Sequence, residues 1–218
     1  MRNEIWRAEN LLYQINEDEK TCKIIGKHAT CTDRDIVIPK ILDGYRVTEI
    51  MMPVYDDFGF GDKITSVVLP DSVTRIGNNA FFGCTRLANV TIPESVTSIG
   101  HSAFAGCKAL TDVKLPESVS SIGYFAFDGC ESLMSVVIPK AVTDISKWAF
   151  ISCCSLESVF IPESVTVIGD NAFSYCKSLV SIRYDGTKKQ WEKIQLGKNW
   201  NKNSSLRKVE CTDGKIKI

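Results

Sequence analysis

The chain has 218 residues, 44% of them apolar and 24% charged, and its 26 basic side chains balance 26 acidic ones. These values are typical of a globular protein and argue against a disordered, collagenous or membrane-spanning chain. A net charge of zero gives no general attraction to nucleic acid or to an anionic membrane. We therefore expect no nucleic-acid partner and no membrane insertion.

The N-terminal segment predicts a β-sheet cap. Residues 11–15 and 21–25 are rich in apolar side chains and are separated by the polar residues 16–20, a pattern typical of a β-hairpin. The layout of a secretory signal is missing, because charged and amide side chains interrupt the apolar run at Glu4, Arg7, Glu9 and Asn10. The sequence as written predicts a cytoplasmic protein, and removal of a leader would change that expectation to the cell surface or the exterior.

A period of 23 residues governs the middle of the chain. Five prolines and five cysteines keep this spacing: Pro70, Pro93, Pro116, Pro139 and Pro162; Cys84, Cys107, Cys130, Cys153 and Cys176. An alanine-phenylalanine pair recurs with them, at Ala80/Phe81, Ala103/Phe104, Ala126/Phe127, Ala149/Phe150 and Ala172/Phe173. Such a period indicates a stacked repeat architecture, because one short unit cannot bury its own apolar face.

Each unit reads C-x-x-L-x-x-V-x-I-P-x-x-V-x-x-I-G-x-x-A-F-x-x. V-x-I alternates as a short strand does, and the proline that follows has no N–H and ends it. V-x-x-I-G predicts a second extended piece that ends at a glycine turn, and the alanine-phenylalanine segment predicts one helical turn. Parallel pairing at about 4.8 Å would align the phenylalanines in one column and the cysteines in another. The predicted fold class is a repeat solenoid of short parallel β-strands.

This unit resembles the BspA-type leucine-rich repeat of bacterial proteins, and the resemblance covers residues 64–184. The resemblance implies a leucine-rich-repeat-like stack with short helical turns. It also implies an adhesion or interaction role, since members of that family are mostly surface or secreted proteins. The shared residues are the buried ones, so the motif is specific for the fold and weak for the partner.

Four segments follow from the period. They are an N-terminal β cap at 1–35, a degenerate first repeat with an insertion at 36–63, five to six regular repeats at 64–184, and a C-terminal cap at 185–218. In the last segment, residues 188–194 predict a short amphipathic helix, and residues 209–211 and 215–218 predict a final hairpin. Both caps are expected to cover the apolar ends of the stack.

The cysteine column is expected to be structural. Buried free cysteine packs as a small apolar residue, and parallel side chains in a column point alongside one another, which disfavours disulfides. The 23-residue spacing contains no C-x-x-C zinc motif, and His28 and His101 are expected at the surface. Cys22 and Cys31 would be bridged only in an oxidising compartment, and thiols are favoured. We predict no metal and no cofactor.

Enzymatic motifs are missing from the sequence. It has no G-x-x-x-x-G-K phosphate loop, no G-x-S-x-G elbow and no H-E-x-x-H zinc motif. Acidic residues follow the repeat prolines and would form a row near the strand ends: Asp71, Glu94, Glu117 and Glu163. A calcium site is one interpretation of this row, and a row that contacts only solvent is the one we favour. We therefore predict no catalytic residue.

The variable positions are the candidate binding residues, since the buried ones only build the stack. On the V-x-I strand, the residue between the two inward apolar ones faces outward: Val68, Thr91, Lys114, Val137, Phe160 and Arg183. We call these six residues the outward row. The row is unusually apolar for a wet surface, and Val137 and Phe160 are expected to lie side by side.

Aromatic residues before the alanine-phenylalanine pairs are further candidates. Tyr124 and Phe125 precede one pair, and Trp148 takes the place of Phe125 in the next unit. That fourth unit also departs from the repeat pattern at Ala141, Ser146, Ser152 and Cys154. Either drift or a partner explains such departures, and aromatic anchors are enriched in protein interfaces.

The insertion at residues 51–63 is the third candidate. It carries three aromatic side chains, Tyr55, Phe58 and Phe60, among aspartates and glycines. Two interpretations are equally favoured: the insertion recognises a partner, or it folds back and seals the first layer of the stack.

The sequence thus predicts a non-enzymatic interaction module that displays rows of side chains to a protein or glycan partner, for adhesion or surface recognition. It leaves the oligomeric state open. The alternatives are an intracellular repeat scaffold and a thiol-based metal or redox protein.

Overall fold

The chain folds into short strands that recur once per coil. The computed structural model describes residues 5–8, 10–28, 31–52 and 59–218. In chain order, its elements are β1 (Trp6–Ala8), β2 (Leu11–Asn16), β3 (Thr21–Lys27), β4 (Asp35–Val37), β5 (Ile41–Leu42), β6 (Tyr45–Ile50), β7 (Ser66–Val68), β8 (Arg75–Ile76), β9 (Asn89–Thr91), β10 (Ser98–Ile99), β11 (Ser121–Ile122), β12 (Ser135–Val137), β13 (Asp144–Ile145), β14 (Ser158–Ile161), β15 (Val167–Ile168), β16 (Ser181–Tyr184), α1 (Lys188–Trp191), β17 (Gln195–Leu196), β18 (Lys208–Cys211) and β19 (Gly214–Lys217).

Two rows of parallel strands run along the stack. The first row contains the V-x-I strands β4, β7, β9, β12, β14, β16 and β18, and the second contains the V-x-x-I-G strands β6, β8, β10, β11, β13, β15 and β17. Pairing is in the register of the repeat, as in Val136 with Val159 and Ile99 with Ile122. The solenoid predicted from the 23-residue period is confirmed.

Phenylalanine rings form a continuous column through the core. The ring centroids of Phe127 lie 5.2 Å from those of both Phe104 and Phe150, and the ring planes differ by 8° and 1°. All three side chains are fully buried. Rings at this separation attract one another beyond the effect of area burial, so each coil is held to both of its neighbours.

The alanine-phenylalanine segment is a run of hydrogen-bonded turns with less helix than the sequence predicted, as in Cys107 N–H to the carbonyl of Phe104 at 3.1 Å. Alternate N–H groups donate to the next coil: Phe104 N–H to the carbonyl of Ala126 at 2.8 Å, and Gly106 N–H to the carbonyl of Asp128 at 2.7 Å. Donors that bond between coils are not available for bonds within a helix. The turn side therefore acts as a third ladder along the stack.

The N-terminal cap extends the second row. Strands β2 and β3 form the predicted antiparallel hairpin, and β1 pairs with β2 on its outer edge. Strand β3 then pairs in parallel with β6. The cap thus continues the sheet and covers the first apolar layer.

The C-terminal cap ends the phenylalanine column. The Thr187 hydroxyl accepts from Gln190 N–H and the Gln190 side chain accepts from Thr187 N–H, a capping box at the start of α1. This places Trp191 in the core, 6.2 Å from Trp200, which meets Phe173 edge-on at 6.5 Å. Strands β18 and β19 form the predicted hairpin. Within the described residues, no helix has the length and apolarity needed to cross a bilayer.

Both strand rows are interrupted near the third coil, which carries Ala126 and Phe127. Residues 112–114 form no strand, so the first row divides into β4-β7-β9 and β12-β14-β16-β18-β19. The second row divides between β11 and β13. The core stays closed at both places, because Val113 and Ile122 are buried. The second interruption has an identifiable cause.

Candidate functional site

Along the second row, consecutive coils lie so close together that their backbones are in contact. A Cβ added at Gly123 would lie 2.6 Å from the carbonyl carbon of Gly100, and a Cβ added at Gly169 would lie 2.6 Å from the nitrogen of Lys147. Side chains do not tolerate such contacts, so this position requires glycine. The fourth coil has Ser146 there instead.

The serine coincides with a break in the ladder between the third and fourth coils. Elsewhere, Thr97 N–H donates to the carbonyl of Thr74 at 2.9 Å, and equivalent bonds join the following coils. Within the described residues, the corresponding bond from Thr143 to Ser120 is not formed. The Ser146 hydroxyl donates to the carbonyl of Ile122 at 2.6 Å in place of a backbone N–H. We conclude that the extra side chain separates the two coils on this side.

A groove that we call the junction groove lies along the second and third coils and reaches Ser146 of the fourth. It has a volume of about 410 Å³ and is lined by residues 98–101, residues 121–124 and Ser146. On the turn side the same coils remain bonded, with Phe127 N–H donating to the carbonyl of Ala149 at 2.8 Å. The opening is therefore local to the second row.

A column of polar and aromatic side chains follows the glycine position. The rings of His101 and Tyr124 stack with centroids 4.9 Å apart, and His101 Nδ1 accepts a hydrogen bond from Tyr124 N–H at 3.0 Å. Because Nδ1 accepts, the proton of the neutral imidazole lies on Nε2. Further along, Lys147 pairs with Asp170 at 3.0 Å, and this hydrogen bond lowers the pKa of Asp170.

Phe125 and Trp148 form a stacked pair beside the junction groove, and we call them the aromatic pair. Their ring centroids lie 4.9 Å apart with planes 1° from parallel, and both side chains are half-buried. Both residues have left-handed backbone angles, with φ of +56° and +58°. That conformation costs a bulky residue about 1–2 kcal/mol. Strain of this kind is concentrated at functional sites.

The outward row is present but divided. Val68 and Val137 are exposed by 41% and 56%, and Thr91, Lys114 and Arg183 are also exposed. The expectation that Val137 lies beside Phe160 is confirmed by the register of β12 and β14.

Phe160 is less accessible than its neighbours in the outward row. Its side chain is half-buried, because the guanidinium carbon of Arg183 lies 5.3 Å from the ring centroid. The division of the row follows from residues 112–114, which form no strand around Lys114. The row therefore consists of two surfaces and not one.

The insertion contributes to the core through Phe60. That side chain is 2% exposed, and its ring lies 5.2 Å from the ring of Phe81, at the start of the phenylalanine column. This burial corrects the interpretation of Phe60 as a recognition residue and agrees with the sealing alternative. Tyr55 and Phe58 lie outside the described residues.

The cysteine column is buried and hydrogen-bonded. Each thiol from the second repeat onward donates to a phenylalanine carbonyl of the preceding coil, as from Cys130 to Phe104 at 3.2 Å. Burial raises the pKa of Cys84 and Cys176 to about 12. All nine cysteines are unbridged. Among the described residues, no group of three or more histidine, cysteine or acidic side chains is placed to hold a metal.

The repeat geometry agrees with a known sequence family. The profile of the BspA type leucine rich repeat region matches residues 56–180 in six copies. The chain belongs to the BspA-type leucine-rich repeat family. No curated protein matched the chain.

Solved bacterial structures share this BspA-type fold. A leucine-rich repeat protein of T. pallidum is 28% identical over 89% of this chain and 86% of its own, with a TM-score of 0.73. A leucine rich cell surface protein from Faecalibacterium prausnitzii is 31% identical over 96% of this chain and 55% of its own, with a TM-score of 0.76. A leucine-rich repeat protein from Bacteroides ovatus, 22% identical over 95% of this chain and 71% of its own, shares the fold with a TM-score of 0.62.

Sequence reasoning missed the strain at the aromatic pair, although a signal for it was present. The equivalent residues in other BspA-type coils are Asn79, Ser102, Asn171 and Asn199, each with positive φ. Asparagine is the side chain that best tolerates this backbone region after glycine. A column of small polar residues interrupted by phenylalanine and tryptophan therefore marks two residues that are retained against backbone preference.

Proposed function

We propose that this chain is a non-enzymatic interaction module that recognises a protein or glycan partner for adhesion or surface recognition. The observation that carries the proposal is the aromatic pair. Phe125 and Trp148 are half-buried, and their backbone conformation disfavours them. The frame does not need aromatic rings there, since other coils form the same turn with asparagine or serine. Tryptophan is among the residues most enriched in binding hot spots, with tyrosine and arginine.

Similarity to a cell surface protein supports recognition at the cell surface. The neighbour from Faecalibacterium prausnitzii is described as a cell surface protein and is 31% identical. A surface location for the present chain would give the aromatic pair access to partners outside the cell. An intracellular scaffold would use the same side chains, and only the partner's compartment would differ. Thiol chemistry is disfavoured, because burial holds the thiols of the cysteine column protonated.

The experiment compares partner capture by the original chain and by the double variant Phe125→Asn, Trp148→Asn. Asparagine keeps the left-handed turn, so we expect the variant to remain folded by circular dichroism. Surface and cytosolic fractions of the native organism are passed over both immobilised proteins and analysed by quantitative mass spectrometry. A partner retained by the original chain and lost from the variant is the expected result.

Phe160→Ser is the matched comparison on the outward row. We expect it to leave stability nearly unchanged and to weaken partner binding only if that row also contributes. Identical binding by the original chain and both variants would contradict the proposal. Turnover of a substrate by the purified chain would contradict its non-enzymatic part.

A further inference from the structure

The junction groove has an uncharged lining of hydrogen-bonding groups. Ser98, Ser121 and Ser146 contribute hydroxyls, His101 and Tyr124 contribute rings, and the lining contains no lysine, arginine or carboxylate. Within the described residues, the first two hydroxyls, the tyrosine hydroxyl and the imidazole Nε2 have no hydrogen-bond partner. These groups together can both donate and accept.

We propose that the junction groove binds a neutral carbohydrate, an inference that rests on the proposed interaction function. Sugar hydroxyls donate and accept in the same way as this lining, and apolar C–H groups of a sugar pack against aromatic rings. Tyr124 is 47% exposed at the groove. The volume of about 410 Å³ lies within the range of small-ligand sites, roughly 300–1,000 Å³.

The groove lining has no charged side chain, which favours a neutral ligand over an ionic one. A phosphate or carboxylate ligand is normally met by arginine, lysine or a cluster of N–H groups. Lys147 follows Tyr124 in the column but is already paired with Asp170 at 3.0 Å. An ionic ligand would thus have no free opposite charge in the groove lining, whereas a neutral sugar needs none.

The geometry also disfavours an added peptide strand between the separated coils. On the opened side, the Ser146 hydroxyl still reaches the carbonyl oxygen of Ile122 at 2.6 Å. A direct contact of this length leaves no room for another backbone between the two coils. The ligand must therefore lie in the groove and not within the ladder.

The test measures binding of neutral and acidic oligosaccharides to the full chain. A glycan array is followed by NMR titration with lactose, maltotriose, cellotriose and N-acetyllactosamine, and with sialyllactose as the acidic comparison. We expect at least one neutral sugar to bind. Tyr124→Ser removes the exposed ring, and Ser146→Gly lets the coils close. Each is expected to weaken binding at least tenfold, about the effect of losing 1.4 kcal/mol.

Tyr175→Ser, which removes an exposed tyrosine ring outside the groove lining, is the matched control and should bind the sugar as the original chain does. No neutral sugar binding on the array or in titration would overturn the inference. Binding of sialyllactose alone, binding of unrelated peptides alone, or sugar binding unchanged in both groove variants would also overturn it. Partner capture that depends on Phe125 and Trp148 would survive any of these results, so failure here is distinguishable from failure of the proposed function.

Discussion

At the scale of single residues, burial decides which thiols can react. The thiols of the cysteine column are fully buried, and those from Cys107 onward donate to carbonyl oxygens, as from Cys153 to Phe127 at 3.2 Å. Burial raises the pKa of Cys107 and Cys153 well above the usual value for a thiol. Since the thiolate is the reactive form, these side chains are inert in the folded chain.

Thiol labelling tests this account. With iodoacetamide near neutral pH, we expect modification of the partly exposed Cys154 and Cys211, and of the remaining seven cysteines only after unfolding. Peptide mass spectrometry at increasing times identifies the modified sites. Replacing Cys154 by serine should remove one of the two labels without exposing others. Rapid labelling of Cys107 or Cys153 in the folded chain would contradict the predicted packing of the column.

Asp128 is the residue from which we expect a pH effect on stability. Its carboxyl group is half-buried and has no ion pair among the described residues, and burial raises its pKa. The folded chain therefore binds this proton more tightly than the unfolded chain does. Its contribution to stability is fully present below the usual carboxyl pKa and is lost as the pH rises through the folded pKa.

Asp128→Asn should therefore increase the free energy of unfolding near neutral pH, because it removes a charge that burial disfavours. The gain should disappear below about pH 3, where the carboxyl group is protonated in both states. Urea denaturation at the two pH values measures the difference. Asp112→Asn, at a fully exposed position, is the control and should have little effect. A gain that is independent of pH would exclude the charge as the cause.

At the scale of elements, one side chain determines whether two strands pair. Strands β10 and β11 are joined in the ladder that glycine permits, and β11 and β13 are not. The difference lies at Ser146, where the repeat requires glycine. A parallel ladder tolerates no Cβ at this contact, so an exchange of glycine and serine should make or break the pairing.

Ser146→Gly should close the ladder between the third and fourth coils. We expect amide exchange at Thr143 to slow about fivefold, the factor that a hydrogen bond of roughly 1 kcal/mol gives. Gly169→Ser is the reciprocal variant, because its Cβ would lie 2.6 Å from the nitrogen of Lys147. It should destabilise the chain by about 1–3 kcal/mol, as other overpacked sites do. Unchanged exchange at Thr143 in Ser146→Gly would show that another residue causes the interruption.

At the scale of the whole molecule, stability is shared between neighbouring coils. Each coil contacts mainly the coils before and after it, so the stack behaves as a one-dimensional chain of interfaces. The phenylalanine column is the common element of these interfaces and runs from Phe60 to Phe173, where Trp200 closes it. A substitution in the middle of the column should therefore destabilise the coils on both sides of it.

Phe127→Ala should reduce the free energy of unfolding by about 3–5 kcal/mol, the usual cost of truncating a buried aromatic side chain. The physical reason is the loss of ring contacts with Phe104 and Phe150, both at 5.2 Å. Chemical denaturation followed by circular dichroism measures the change. Val137→Ser, on the outside, should remain within about 0.5 kcal/mol of the original chain. A loss below about 1 kcal/mol for Phe127→Ala would contradict the column as the main support of the stack.

Much of the fold could be predicted because its causes repeat. The phenylalanines, cysteines and prolines recur every 23 residues, and only stacking buries them all. The extent of helix was overestimated, since nothing local shows that Phe104 N–H bonds to Ala126 of the next coil. Of the site, the sequence identified Tyr124, Phe125 and Trp148 as candidates, because they interrupt a pattern.

The sequence by itself determined the solenoid, its period and its caps, because burial of a repeated apolar pattern has one geometric solution. Only the tertiary structure decided where the stack opens and which aromatic residues remain accessible. The junction groove lies on the paired strands β10 and β11, next to the interruption at Ser146. Phe60 became a core residue because the insertion returns to the column. Both outcomes arise from contacts between segments that local sequence does not encode.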